Sequence, residues 1–496
     1  MVYIEIDFKS DYFDSIIGTI VNIKKVYKCK IAASVIFDNP RHIKPILQQY
    51  YIIEIVKLKL SFSIKNCLEN FSECSSLKYF VLNDGQSSNF IKFIKDNAFK
   101  NCSSLHEFSI NNPLKSIGKN AFQGCFSCRK IYCPSNIDII KDNAFQGCFM
   151  LKTFVCNNIT KLGSNAFEGC SSLKHLKINK IDKLCSNAFN GCYALERLTI
   201  DHIGTIDSNA FVGCSSLEEI TTNIISIIEL NAFKGCTSLK KITAQYIDRI
   251  NSNAFDGCSS LKEINAKICR IGSNSFKNCS SLEKITYIIQ NDTPFFEEGT
   301  FEGCTSLKIV VLYSSNGSKI KQIKKKAFER CSSLTYLQDN LEAEIIEESA
   351  FENCSKLGYF NLFFTKEIKS RCFAYCSSLK QIKITNNISH IPTFAFYGCS
   401  SLTSLTIPSS VKIIDDYAFG LCKSLAHVLL PSSLQKIGLK AFSSCTSLMF
   451  ISIPISVKSI GLNAFCGCLN LREISLPSSF DIKRIGLNDS VAINKL

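Results

Sequence analysis

Apolar residues return along this chain on a fixed ruler. Phe-x-x-Cys recurs every 21 to 28 residues, with its Cys at positions 74, 102, 125, 148, 170, 192, 214, 236, 258, 279, 304, 331, 354, 376, 399, 422, 445 and 468. Three residues after each Cys stands Leu in 17 of 18 copies, and Cys128 in the other. Three residues further on comes an Ile, Leu, Val or Phe, usually followed two positions later by another apolar residue. This Ile-x-Ile alternation, with Thr, Ser, Lys or Asn between, is the period-2 pattern of a short strand buried on one face. So short a period holds one turn and one strand. The pattern therefore predicts a repeat solenoid, a right-handed superhelix with a parallel β-sheet of one short strand per turn. Its convex side is expected to be irregular, 3₁₀, short helical or extended.

The repeat is wider than its Phe and Cys. A typical copy reads Asn209-Ala210-Phe211-Val212-Gly213-Cys214-Ser215-Ser216-Leu217. After the strand, Ile-Pro-Ser-Ser-Val (407–411), Leu-Pro-Ser-Ser-Leu (430–434) and Leu-Pro-Ser-Ser-Phe (476–480) place Pro where the strand must stop donating and turn. No single repeat can bury its ring alone, so stability should come from stacking neighbours. The expected structural ladder runs through Phe167, Cys170, Phe189, Cys192, Phe211, Cys214, Phe233, Cys236, Phe255 and Cys258.

Departures from the ruler divide the chain. From Cys148 to Cys279 the spacing is 22 or 21 and the Pro-Ser-Ser turn is missing; from Cys376 onward it is 23 and the Pro returns. Two stretched repeats lie between, one carrying 290–296, the other 313–318 followed by the lysine cluster 319–326. Insertions in solenoids map to loops on one face, often the binding face. Residues 1–58 lack the repeat and are read as a cap, because an open end would expose core and strand edge. Within this stretch, Ile52 to Leu60 alternates like a strand. The solenoid of about 18 repeats then spans 59–486, and 487–496 form a tail that either caps weakly or self-associates.

The run Ala441-Phe442-Ser443-Ser444-Cys445-Thr446-Ser447-Leu448, followed by Ile451-Ser452-Ile453-Pro454 and Ile460-Gly461-Leu462-Asn463-Ala464-Phe465, resembles the BspA-type leucine-rich repeat of 23 residues. The resemblance covers about residues 59 to 485. It implies a scaffold without a catalytic site, and membership among surface antigens that adhere to host or matrix proteins.

Composition sharpens this reading. With 46% hydrophobic residues, the chain has ample material for a core, which excludes wholesale disorder. The 27 cysteines are mostly repeat positions, and an odd number leaves at least one unpaired. Stacked equivalents about 4.8 Å apart, with parallel Cα–Cβ vectors, do not match the roughly 3.8 Å between Cβ atoms that a disulfide needs. A column of free thiols is expected. Cys125-x-x-Cys128 has the spacing of redox and zinc sites, yet its members occupy the ladder and Leu positions, which suits small buried hydrophobes. The six histidines lack ligand spacing. No nucleophile elbow, phosphate loop or Rossmann fingerprint occurs. The expectation is no enzyme, no cofactor and no metal.

A net charge of +15 spread over 496 residues is not by itself a nucleic-acid footprint. Arg129, Lys130, Lys174, His175, Lys177, Lys240 and Lys241 fall at outward strand positions and are read either as a basic stripe or as a solvated surface. The candidate ligand contacts are Tyr79, Lys130, His175, Lys177, Arg197, Lys241, Tyr336, Tyr359 and Phe450, aromatic and basic residues of the kind binding surfaces use. The partner is expected to be a host, matrix or intracellular protein, with an acidic glycan as a further candidate. Residues 1–7 show no signal-peptide pattern, and no apolar run is long enough for a transmembrane helix. Two functions stay open: a secreted or cell-surface adhesin, as the resemblance implies, and a cytoplasmic scaffold for protein–protein interaction, as the free thiols suggest.

Overall fold

The computed structural model describes residues 2–8, 31–37, 54–60, 67–68, 71–75, 77–82, 91–111, 113–289, 295–314, 320–337, 341–478 and 480–496. The chain forms two compact units, Met1–Ile247 and Asp248–Leu496. Each is built from the same turn.

The first unit begins with three parallel strands, Val2–Phe8, Ile31–Phe37 and Glu54–Leu60, paired Val2 to Ile31 and Ala32 to Glu54. The stretch expected as a non-repeat cap thus carries parallel strands, paired at offsets of 29 residues and then 22 or 23. Ile52 and Ile53, the start of its expected strand, lie outside the described residues. From Tyr79 onward, the Leu-x-x-Ile-x-Ile segment of each turn supplies one strand. Glu107–Ile110 shows the alternation directly, with Phe108 and Ile110 buried and their neighbours half-exposed.

A second ladder joins the expected one. Ile94, Ile117, Ile140, Leu162, Leu184, Ile206 and Ile228 pair in sequence, each on the strand that follows the first in its turn. In three Pro-free turns the two strands merge into one of ten residues, His175–Leu184, Arg197–Ile206 and Lys241–Ile250, whereas Thr153–Val155 and Asn158–Leu162 stay separate without Pro. In the second unit Pro408 lacks the N–H that a continuous strand would need. Ser404–Thr406 and Ile413–Ile414 are therefore separate, joined by a turn in which Val411 N–H donates to the Pro408 carbonyl at 3.1 Å.

The convex side is the irregular one of the expected forms. Asn-Ala-Phe-x-Gly is a run of turns with left-handed residues at fixed places, as at Asn209 (φ 58°) and Gly213 (φ 72°). Amides released from helical bonding donate to the next turn instead, Phe99 N–H to Ala121 O at 2.7 Å and Phe211 N–H to Ala232 O at 2.8 Å. Asparagine side chains form their own column, from Asn165 to Asn143, Asn143 to Asn120 and Asn120 to Asn97, at 2.9 to 3.1 Å. Among the described residues the only helix is a single 3₁₀ turn, Ile482–Arg484.

The core is two columns. Ladder rings stack nearly parallel within each unit, Phe99 on Phe122 at 5.1 Å and 2° and Phe396 on Phe419 at 5.3 Å and 5°. Beside them, ladder thiols from Cys102 onward donate to the carbonyl of the Phe one turn earlier, as Cys214 does to Phe189 at 3.2 Å and Cys304 to Phe276 at 3.0 Å. Phe189 O also accepts the N–H of Cys192, at 3.1 Å. Both lone pairs of that carbonyl are therefore used, so a small buried residue with one weak donor suits the site. All ten ladder residues named from the sequence are fully buried. The tail 487–496 includes the strand Ala492–Lys495, which pairs in parallel with Glu473–Leu476.

Candidate functional site

Burial of one strand face leaves the other free. In the first unit the leading residue of successive strands forms one register row: Tyr79, Glu107, Lys130, Thr153, His175, Arg197, Glu219 and Lys241. Five of the contacts expected from the sequence thus stand in a single file, about 4.8 Å apart where their strands are adjacent. Lys177 sits two positions further along its strand, opposite Thr199.

Carboxylates interrupt the expected basic stripe. Lys130 Nζ lies 2.9 Å from Glu107, Lys174 Nζ 3.1 Å from Glu196 and Lys240 Nζ 3.1 Å from Glu218, each pair bridging neighbouring turns. His175 Nε2 stands 4.0 Å from Glu196. Arg129, Lys152 and Arg197 are exposed and have no ion-pair partner among the described residues. Tyr79 stacks on the His106 ring at 5.8 Å.

The corresponding strand positions of the second unit mix charged and polar residues, Glu263, Lys284, Gln381, Ser404, His427 and Glu473, with exposed apolar and aromatic ones. Ile309 pairs with Tyr336, Tyr359 with Gln381, and Phe450 with His427 and Glu473. Tyr359 and Phe450 are 57% and 51% exposed, and Tyr313 and Leu429 nearby on their own strands are also open to solvent. Charge is quenched where the sequence concentrates it. Lys324 lies 2.8 Å from Glu297 and 4.2 Å from the centre of the Phe295 ring, and Lys325 lies 3.0 Å from Glu348. The insertion segments 290–294 and 315–319 lie outside the described residues.

The sequence reading passed over one group of exposed side chains: Phe126, Phe149, Met150 and Tyr193, all about half open to water. Their signal was available, since each ring replaces the Ser or Thr that usually follows the ladder Cys.

Chemistry at the C-x-x-C pair is suppressed. Cys125 and Cys128 are fully buried, and burial pushes both well above the ordinary thiol range. Cys125 donates to Phe99 O at 3.1 Å, as a ladder residue does. Among the described residues there is no group of three His, Cys, Asp or Glu placed to hold a metal ion. No helix among them is long and apolar enough to cross a membrane.

A family model identifies the same repeat. The family model described as BspA type leucine rich repeat region (6 copies) matches residues 67–196, 155–262, 182–308, 226–358 and 366–489. Among solved structures, a leucine-rich repeat protein from Bacteroides ovatus is 24% identical, over 90% of this chain and 88% of that one, with a TM-score of 0.35. A leucine rich cell surface protein from Faecalibacterium prausnitzii is 23% identical, over 59% and 83%, with a TM-score of 0.37. The pneumococcal vaccine antigen PcpA is 19% identical, over 83% and 89%, with a TM-score of 0.29. No curated protein matches the sequence.

Proposed function

The chain belongs to the BspA-type leucine-rich repeat family, and from that premise we propose that it is a non-enzymatic recognition protein of the surface-antigen or adhesin type, binding a host or matrix protein. The observation that carries the reading is the outward face of the strands. The core uses none of these positions, yet they hold exposed Tyr, Phe, Arg and Lys, residue types that serve as contacts in protein interfaces. In this reading Tyr79, Lys130, His175, Lys177, Arg197 and Lys241 contribute from the first unit, and Tyr336, Tyr359 and Phe450 from the second. Residues 1–58 close the N-terminal end of the repeat array.

Labelling intact cells with a membrane-impermeant reagent tests the location, and the chain is expected among the labelled proteins. Recovery in the cytosolic fraction alone would sink the adhesin and favour an intracellular scaffold. One observation favours that second reading: ladder thiols such as Cys125, Cys148, Cys170 and Cys192 form no disulfide, and such thiols persist in reducing compartments.

A further inference from the structure

We infer that four consecutive turns of the first unit, those of Cys125, Cys148, Cys170 and Cys192, dock an extended acidic protein segment that carries apolar anchor side chains. The inference rests on the protein-recognition reading and adds the place and the partner's chemistry.

The first support comes from the repeat acting as its own control. The residue after the ladder Cys is Ser or Thr in 13 of 18 copies, and three of the five exceptions, Phe126, Phe149 and Tyr193, fall within these four turns. The fold does not require rings there, because Ser171 holds the same place between Phe149 and Tyr193 and donates to the Phe149 carbonyl at 3.2 Å. The rings are 48%, 50% and 57% exposed. Backbone bonds keep them in file, Met150 N–H to Phe126 O at 3.3 Å, Ser172 N–H to Phe149 O at 3.2 Å and Ala194 N–H to Ser171 O at 3.1 Å. Phe126 and Phe149 stack at 5.5 Å and 8°, an apolar ledge that meets solvent.

The second support is charge. Three or four residues beyond the rings, in the same turns, stand Arg129, Lys152 and Arg197, exposed and without an ion-pair partner among the described residues. Lys152 N–H donates to Arg129 O at 3.0 Å, so these two cations stand in file beside the rings, and Arg197 stands in the adjacent register row, that of Lys130 and His175. Four turns span roughly 14 Å, the reach of about five extended residues.

A uniformly anionic polymer fits this face less well than a peptide. Glu107, Glu196 and Glu218 interleave with the cations and occupy Lys130, Lys174 and Lys240. These carboxylates would repel continuous negative charge, whereas separate Asp or Glu side chains can meet the three free cations. The rings, for their part, gain only against apolar surface.

The full chain, used as bait for a phage-displayed library of linear random peptides, tests the assignment. Clones combining Asp or Glu with Phe, Leu or Tyr should be enriched. Retention should fall about tenfold or more on the triple variant Phe126→Ser, Phe149→Ser, Tyr193→Ser and on Arg129→Glu with Lys152→Glu. The Ser variants restore the repeat's own residue, so their unfolding midpoint should match the parent's. Enriched clones without carboxylates, or equal retention on the variants, would overturn the inference. So would a heparin oligosaccharide that binds here and is lost in the variants while no acidic clone is enriched. Clones lost instead on Tyr336→Ala with Tyr359→Ala would leave protein recognition standing and defeat this site. Enrichment on no surface would count against both.

Discussion

From Asn97 to Gly235 in the first unit, the left-handed positions of the turn belong to Asn and Gly; in the second they pass also to Lys326, Arg330, Arg371, Phe394, Leu421 and Lys440, at φ between 51° and 62°. Asn and Gly tolerate that region, while other residues lose roughly 1 to 2 kcal/mol in it. The turn keeps its shape regardless, because neighbouring turns over-determine it. Leu421 N–H still donates to Ser443 O at 2.8 Å, as Gly213 N–H does to Lys234 O at 2.9 Å. Rings replace the asparagine column there. Phe394 stacks on Tyr417 at 4.7 Å, with the Arg371 guanidinium 4.4 Å from the Phe394 ring centre. The two units thus share their buried columns and differ in what surrounds them. At the leading outward strand positions Tyr336, Tyr359 and Phe450 stand in the second unit, whereas among the described residues the first has a ring only at Tyr79 and His175.

The largest effect should be one the units have in common. Phe211→Ala in the first and Phe419→Ala in the second each remove a fully buried ring from the column and should cost about 3 to 5 kcal/mol. Hydrogen exchange at the amides that link neighbouring turns reads this locally. A variant that keeps the parent's protection would remove its ring from the core assignment.

Next comes the alkaline limb. Burial raises several ladder thiols, Cys422 to about 12 and Cys331 well above the ordinary range, against roughly 8.5 in an unfolded chain. The folded form then binds more protons than the unfolded one at high pH. The stabilisation from these raised thiols is therefore fully present below about pH 8.5 and is lost as pH rises through the folded values, by about 1.4 kcal/mol per pH unit for each thiol so raised. Denaturant midpoints between pH 8 and 11 should fall in both units, and Cys→Ala substitutions in the ladder should flatten the slope. A flat profile would mean the thiols are accessible in the native state.

The smallest effect separates the units. A Cβ at Gly235 would meet nothing nearer than 3.9 Å, so Gly235→Ala, at φ 74°, should lose about 1 kcal/mol from backbone conformation alone. Arg330→Gly, at φ 62° on an exposed side chain, should gain a similar amount. Opposite signs support the view that neighbours impose the turn in the second unit.

The columns were legible in the sequence because Phe, Cys and Leu recur at offsets that only a stacked turn satisfies. The second ladder was not. Its strands are often two residues long, as at Ile413–Ile414, and too short for an alternation to register. Nor could the left-handed backbone at Arg330 or Phe394 be anticipated, since those residues argue against it and only the neighbouring turns hold it. The outward positions were placed by the period-2 pattern. Their pairing was hidden, because Lys130 meets Glu107 across 23 residues and nothing local marks the match.

The most direct test of the thiol column is a count of reactive thiols, taken without reductant before and after denaturation. The account predicts that the buried ladder thiols do not react in the native protein, and that close to all 27 thiols react once it is unfolded. A denatured count near one, with the other cysteines paired, would contradict it.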